Sequence, residues 1–180
     1  VNMKNPLLAV VVPDQTGERA TPAQFANREA RFYRNVAWSG MQWVAGNANV
    51  KTDLEYYTNG QNAWPSANNV PPTGYLALKW YAPKLNPLQS WGTITWPIVR
   101  LANVYLDYIE ALNEYDPTNA DIEKYWNEIR NRAGVPDIFE VYPEIKGDKN
   151  LQRKYIRRER MVELCYECRR YVDIRTWMTA

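Results

Sequence analysis

Residues 156–177 read IRRERMVELCYECRRYVDIRTW. The run holds neither proline nor glycine, so nothing in it interrupts a helix, and it predicts one long charged helix. Met161, Leu164, Cys165, Cys168 and Val172 recur at helical spacing and form an apolar stripe fit for burial. Glu159, Glu163 and Glu167 stand four apart and share a face, with Arg160 and Arg170 beside it. Acids and bases interleaved in this way predict an internal ion-pair network rather than a solvated charge run. Its expected members are Glu159, Arg160, Glu163, Glu167, Arg170 and Asp173, joined by Arg130 or Arg132 from the preceding helix.

Toward the N-terminus, Leu101, Val104, Tyr105, Tyr108, Leu112 and Tyr115 give the apolar face of a helix that Asp116-Pro117-Thr118-Asn119 ends. Thr118 or Asn119 caps the next helix, whose stripe is Ile122, Tyr125, Trp126, Ile129 and Ala133. Gly134 stands where that helix should stop, and Pro136 follows. From Pro97 to Pro136 the spacing is close to one helix-turn-helix unit of the tetratricopeptide type. One hairpin cannot bury both of its faces, and the long helix is the neighbour this chain supplies. Residues 97–180 therefore read as a helical hairpin plus a long C-terminal helix, joined through 137–150.

Residues 1–96 have a different make-up, loop-rich and aromatic with a little β. Leu7 to Val12 is an apolar run of strand length. It is too short for a signal peptide or a membrane span. Thr21-Pro22 suits the start of a short helix, with Thr21 as the N-cap. Ala30 to Gly40 reads as a helical turn passing into an extended stretch that turns at Gly40. Asn59-Gly60 suits the turn of a hairpin, and Tyr75 to Tyr81 is the best strand. The fold class is mainly α, a tetratricopeptide-like helical repeat with a loop-rich segment carrying minor β.

Composition excludes several chemistries. There is no histidine, so a Ser-His-Asp triad, a Cys-His pair and a His-zinc site cannot be built. Cys165 and Cys168 are the two cysteines, too few for a zinc site without histidine, and they read as small residues of the apolar stripe. No metal, no cofactor and no catalytic residue is expected. A net charge of +2 from 22 basic and 20 acidic residues gives no reason to expect nucleic acid. A glycosidase would need two carboxylates facing each other across a cleft, about 5 to 10 Å apart. A row of glutamates on one helix, each beside an arginine, is held ionised and oriented, which does not suit a general acid.

Eight tryptophans and thirteen tyrosines remain to be explained. An indole offers a flat apolar face to the C–H bonds of a pyranose, while the sugar hydroxyls need amide or carboxylate partners beside it. Asn62-Ala63-Trp64-Pro65-Ser66-Ala67-Asn68-Asn69 has that make-up, and Gln42-Trp43 shares it. The candidate ligand-binding residues are Trp64, Trp43, Asn62, Asn68 and Trp91, with Trp64 foremost. Tyr105, Tyr108, Trp126 and Trp177 lie on helical stripes and are assigned to the core.

Three segments, in order, resemble the SusD/RagB-like family. RLANVYLDYIEALNE at 100–114 is similar to that family's R-x-A-E-V-x-L-x-Y-A-E-A-x-N-E helix. NEIRNRAGV at 127–135 resembles its I-N-x-I-R-x-R-A-G-L. The 156–177 run resembles its I-x-x-E-R-x-x-E-L-x-F-E-G-x-R-x-x-D-L-x-R-W, through Glu159, Arg160, Glu163, Leu164, Glu167, Arg169 or Arg170, Asp173, Arg175 and Trp177. Asn27 to Tyr33 is a looser match to the D-P-R-F element, and Tyr75 to Tyr81 to the strand after it. Cys168 departs from the pattern, standing where the family usually has glycine. Family members are far longer, begin with a lipoprotein signal, and form an α/α superhelix, of which this chain looks like the C-terminal third. The resemblance implies a cell-surface, lipid-anchored outer-membrane protein of Bacteroidetes. Such a protein binds an oligo- or polysaccharide without catalysis and hands it to a SusC-like TonB-dependent transporter. The alternative is a helical-repeat scaffold that binds only protein.

Overall fold

The computed structural model describes residues 9–14, 17–22, 25, 27–44, 51–57, 59–62, 71, 73–80 and 97–178. The chain divides into two compact units, Val1–Thr95 and Trp96–Ala180. It is mainly α, with its longer helices in the second unit.

The first unit opens with an antiparallel hairpin of β1 (Ala9–Asp14) and β2 (Gly17–Pro22), in register from Ala9 opposite Pro22 to Asp14 opposite Gly17. Thr21 and Pro22 thus finish a strand instead of starting a helix. The ladder pairing outweighs their local capping preference, and an edge position tolerates a proline without an N–H. A short helix α1 (Ala30–Asn35) runs directly into β3 (Val36–Trp38), and Gly40 turns the chain with φ +96°. The strand β4 (Gln42–Val44) pairs antiparallel with β5 (Lys51–Asp53), and β6 (Tyr75–Ala77) pairs antiparallel with β3. Trp38 is the centre of this unit's core, 1% exposed among Phe25, Met41, Leu54 and Leu78. Phe32 stacks on it at 5.6 Å, and Tyr33 meets it edge-on at 5.3 Å. The Tyr33 hydroxyl donates to the Phe25 carbonyl and accepts from the Arg28 amide, which ties the turn at Asn27 (φ +53°) to α1.

The second unit is a hairpin of α2 (Leu101–Tyr115) and α3 (Ala120–Arg132). After it come α4 (Ile138–Val141), a 3-10 turn at Pro143–Ile145, α5 (Lys149–Glu163) and α6 (Arg170–Thr176). Asn119 caps α3 by accepting from the Asp121 amide, and Asp148 caps α5 by accepting from the Asn150 and Leu151 amides. At the end of α3, the Val135 amide returns to the Arg130 carbonyl and the Gly134 amide to that of Asn131. Gly134 has φ +67°, which completes a Schellman motif. The core joins Leu106 and Ile109 of α2 and Ile122, Trp126 and Ile129 of α3 to Ile138, Ile145 and Ile156. A buried amide pair fastens α2 to α5. Gln152 donates to Asn113 Oδ1 and to the Pro117 carbonyl, and Asn113 donates to the Lys149 carbonyl.

Two expectations drawn from helical spacing are corrected here. On α2 the buried line is Ala102, Leu106 and Ile109, while Leu101, Val104 and Tyr108 are 62%, 49% and 43% exposed. Both sides of α2 are apolar, and α3 and α5 together cover one of them. The expected 156–177 helix also breaks. It ends at Glu163, turns through residues in which Tyr166 and Cys168 take φ of +63° and +58°, and resumes as α6. Leu164 is buried, but Met161, Cys168 and Val172 are exposed and Cys165 is half-buried, so the expected stripe does not form. The break allows an ion pair between Asp173 and Arg160. In a continuous helix, thirteen residues rise about 20 Å, which would put Asp173 far beyond reach of Arg160. The turn brings it to 2.8 Å instead.

Left-handed backbone costs a non-glycine residue roughly 1–2 kcal/mol, and glycine gives part of that back as unfolded-state entropy. Cys168→Gly is therefore expected to stabilise the chain by about 0.5–1 kcal/mol, seen as a melting temperature raised by about 2 °C. A lower melting temperature would mean that the cysteine side chain holds the turn.

Candidate functional site

The carboxylates on α5 are all engaged by guanidinium groups. Glu159 accepts from Arg130 at 3.0 Å and from the Trp126 indole at 3.3 Å, while Arg130 also donates to the Pro136 carbonyl. Glu163 accepts from Arg100 at 3.0 Å and also from Arg132. Arg100 reaches on to Glu167 at 2.6 Å. Burial alone would lower the Arg100 pKa, but its bonds to Glu167 and Glu163 prevail and hold it above the ordinary arginine value. Arg160 bonds Asp173 and Asp107, with Glu110 at 3.6 Å. The network thus contains Arg130, Glu159, Arg160, Glu163, Glu167 and Asp173. Arg170 is outside it, exposed and with no acid within 4 Å among the described residues. Arg100, Asp107 and Glu110 are the members that sequence reasoning missed. Arg100 immediately precedes α2 and Asp107 and Glu110 lie on it, and only the packing of α2 against α5 reveals them.

Of the five candidate ligand-binding residues, Trp64, Asn68 and Trp91 lie outside the described residues. Trp43 is half-buried on β4 and packs against the core around Trp38. Asn62 closes a tight turn. Its Oδ1 accepts from the Glu55 amide at 3.0 Å, and its own amide donates to the Glu55 carbonyl at 3.2 Å. Its oxygen is therefore spent on the fold. The same turn carries Asn59 at φ +64°. It also needs Gly60, where a Cβ would meet the Glu55 carbonyl at 2.4 Å. Tyr57 belongs to this surface too. Its hydroxyl bonds the Glu55 carboxylate, the first cause of its raised pKa, and Glu55 also accepts from the Gln61 amide at 3.1 Å. Tyr57 offers an apolar ring face at this surface, while the Glu55 carboxylate and the Gln61 amide, like the Asn62 oxygen, are engaged within the turn. The turn leads directly into Ala63-Trp64 in the sequence.

Two clefts in the second unit are lined by described residues. One, of about 420 Å³, lies at the start of α3 between Thr118, Phe139 and Lys146. Its polar groups are already paired: Lys146 with Glu123 at 2.8 Å, Asn119 with the Asp121 amide, and Gln152 with Asn113. The other, of about 380 Å³, runs along α5 from Asn150 to Met161 and is closed by Arg170 and Trp177. Beside it, burial raises the pKa of Glu110, opposed by Arg160, the Trp177 indole and Arg157. Among the described residues no group of three or more His, Cys, Asp or Glu could hold a metal ion. No described helix is long and apolar enough to cross a membrane.

A helical hairpin stitched by arginine–glutamate pairs to a third helix, together with an aromatic, loop-rich unit, defines the class of protein. The SusD family model matches residues 9–180, so it spans both units, and the chain belongs to the SusD family. A crystal structure of a SusD-like protein from Bacteroides fragilis NCTC 9343 is 27% identical, with a TM-score of 0.68. The similarity covers 94% of this chain and 30% of that one, so the chain spans under a third of the length of this relative. No match was found among curated proteins.

Proposed function

We propose that the chain is part of a non-catalytic binding protein that captures an oligo- or polysaccharide nutrient at the bacterial outer-membrane surface. It would pass that nutrient to a SusC-like TonB-dependent transporter, with the protein held to the membrane by a lipid anchor. The observation that carries the reading is the family match from 9 to 180. The Tyr57 ring, in the described turn seven residues before Trp64, supports it as an aromatic face. A non-catalytic role is supported by Glu159, Glu163 and Glu167, each of which is bound to an arginine.

Binding of an oligosaccharide panel, followed by tryptophan fluorescence and calorimetry, tests the reading. Trp64→Ala is expected to weaken binding at least tenfold with no change in melting temperature. Unchanged affinity would remove Trp64 from the site, and no binding to any saccharide would sink the reading. The second reading, a scaffold that binds only protein, is favoured by the exposed apolar side of α2, where Leu101, Val104 and Tyr108 face outward. Saccharide binding by the chain alone separates the two.

A further inference from the structure

The groove along α5 gathers five basic residues, three of which have no carboxylate within 4 Å among the described residues. Arg100, Arg130, Arg132 and Arg160 each bond a carboxylate. In the groove, Lys154, Arg158 and Arg170 are all exposed and have no carboxylate within 4 Å among the described residues. Arg157 stands between them with its guanidinium 4.6 Å from the centre of the Trp177 ring. The cation–π contact holds the guanidinium over the ring. Its Nε is buried toward Glu110, whose carboxylate lies 3.8 Å away, so Arg157 is loosely paired on that side. Arg153 at the rim is different, chelated by both oxygens of Glu114, which marks where the free positive charge stops.

From this geometry we infer that the α5–α6 groove is a binding site for the acidic groups of an oligosaccharide, carboxylate or sulfate. Lys154 and Arg158 are one helical turn apart, a rise of about 6 Å, comparable to one sugar ring along a chain. Arg157 supplies a planar fork that suits a carboxylate or sulfate in two-point contact. Trp177 acts as its positioning residue, because its ring is already covered by Arg157. A nucleic acid fits less well, since the groove has no uncovered aromatic face for a base and Glu110 and Glu114 border it. The inference rests on the saccharide-binding reading above and narrows it to charged sugars.

The test uses the whole chain with four probes: an oligogalacturonate, a sulfated heparin-derived oligosaccharide of similar length, a neutral xylo-oligosaccharide and a single-stranded oligonucleotide. Affinities are measured at low and physiological salt, with Arg158→Glu/Arg170→Glu and the milder Arg158→Gln/Arg170→Gln as variants. Both positions are exposed, with no carboxylate partner among the described residues, so melting temperatures are expected to stay unchanged. One or both acidic saccharides should bind more tightly than the neutral one, lose affinity with salt, and weaken at least tenfold in the charge-reversed variant. The Gln variant should fall between. Whichever acidic probe responds identifies carboxylate or sulfate as the group read. Equal binding of acidic probes to parent and variants would overturn the inference, as would equal loss of the neutral probe. Tighter, variant-sensitive binding of the oligonucleotide would also overturn it. Neutral binding with no acidic preference would defeat this inference alone, whereas no saccharide binding at all would defeat the broader reading with it.

Discussion

Glu159→Ala is expected to cost about 3–5 kcal/mol of stability, because it strands a buried charge. Arg130 and Glu159 are 7% and 6% exposed as side chains, so neither has water to fall back on. Removing the carboxylate leaves the Arg130 guanidinium with only the Pro136 carbonyl, and leaves the Trp126 indole without its acceptor. The urea midpoint of the second unit should fall accordingly. Glu163→Ala should cost less, although Glu163 serves two arginines. Arg132 is 57% exposed and can turn to solvent, and Arg100 keeps Glu167. Replacing both members of the inner pair, as in Arg130→Met/Glu159→Leu, should recover most of the loss, since desolvation cancels much of what a buried pair contributes. If Glu159→Ala unfolded at the parent midpoint yet lost ligand, the carboxylate row would be a binding site and its structural assignment wrong.

Trp38→Ala is expected to destabilise the first unit by about 3–5 kcal/mol, the range for emptying a large aromatic site. The indole is the shared neighbour of Phe25, Phe32 and Tyr33, so its loss opens a cavity that three rings border. Those rings position the Asn27 turn and α1, and Trp38 itself carries the ladder to Tyr75. Trp38→Phe should retain most of the packing and lose less. Near-UV circular dichroism and a thermal melt would read the effect. A melt superimposable on the parent would show that this core contributes little to the unit.

Much of the second unit could be read directly from residue order. The break at Asp116-Pro117, the Asn119 cap, the Ile122–Trp126–Ile129 stripe and the Gly134 stop all act within a few residues of themselves. Local capping chemistry and 3.6-residue periodicity suffice for such features. In the first unit the passage from α1 into β3 was legible for the same reason. The fate of Thr21-Pro22 was not, because the partner strand lies across the hairpin and local preference alone cannot see it.

By itself, the sequence determined the hairpin of α2 and α3, the lack of histidine chemistry, the family pattern over three segments, and the pairing tendency of the acids on α5. Tertiary structure decided which side of α2 is covered, where α5 stops, and which described cations lack a carboxylate. An apolar residue at helical spacing states only that a face is buriable. Whether it is buried depends on which neighbour arrives, and α2 has two such faces. Likewise, ELCYECRR carries no glycine or proline to announce a break. The turn brings Asp173 back to Arg160, a contact thirteen residues apart that no local propensity encodes. The same folding consumed Arg100, Arg130, Arg132 and Arg160 in ion pairs and left Lys154, Arg158 and Arg170 along the groove. In the sequence all seven are simply basic residues; the carboxylates brought to some of them by packing are what tell them apart.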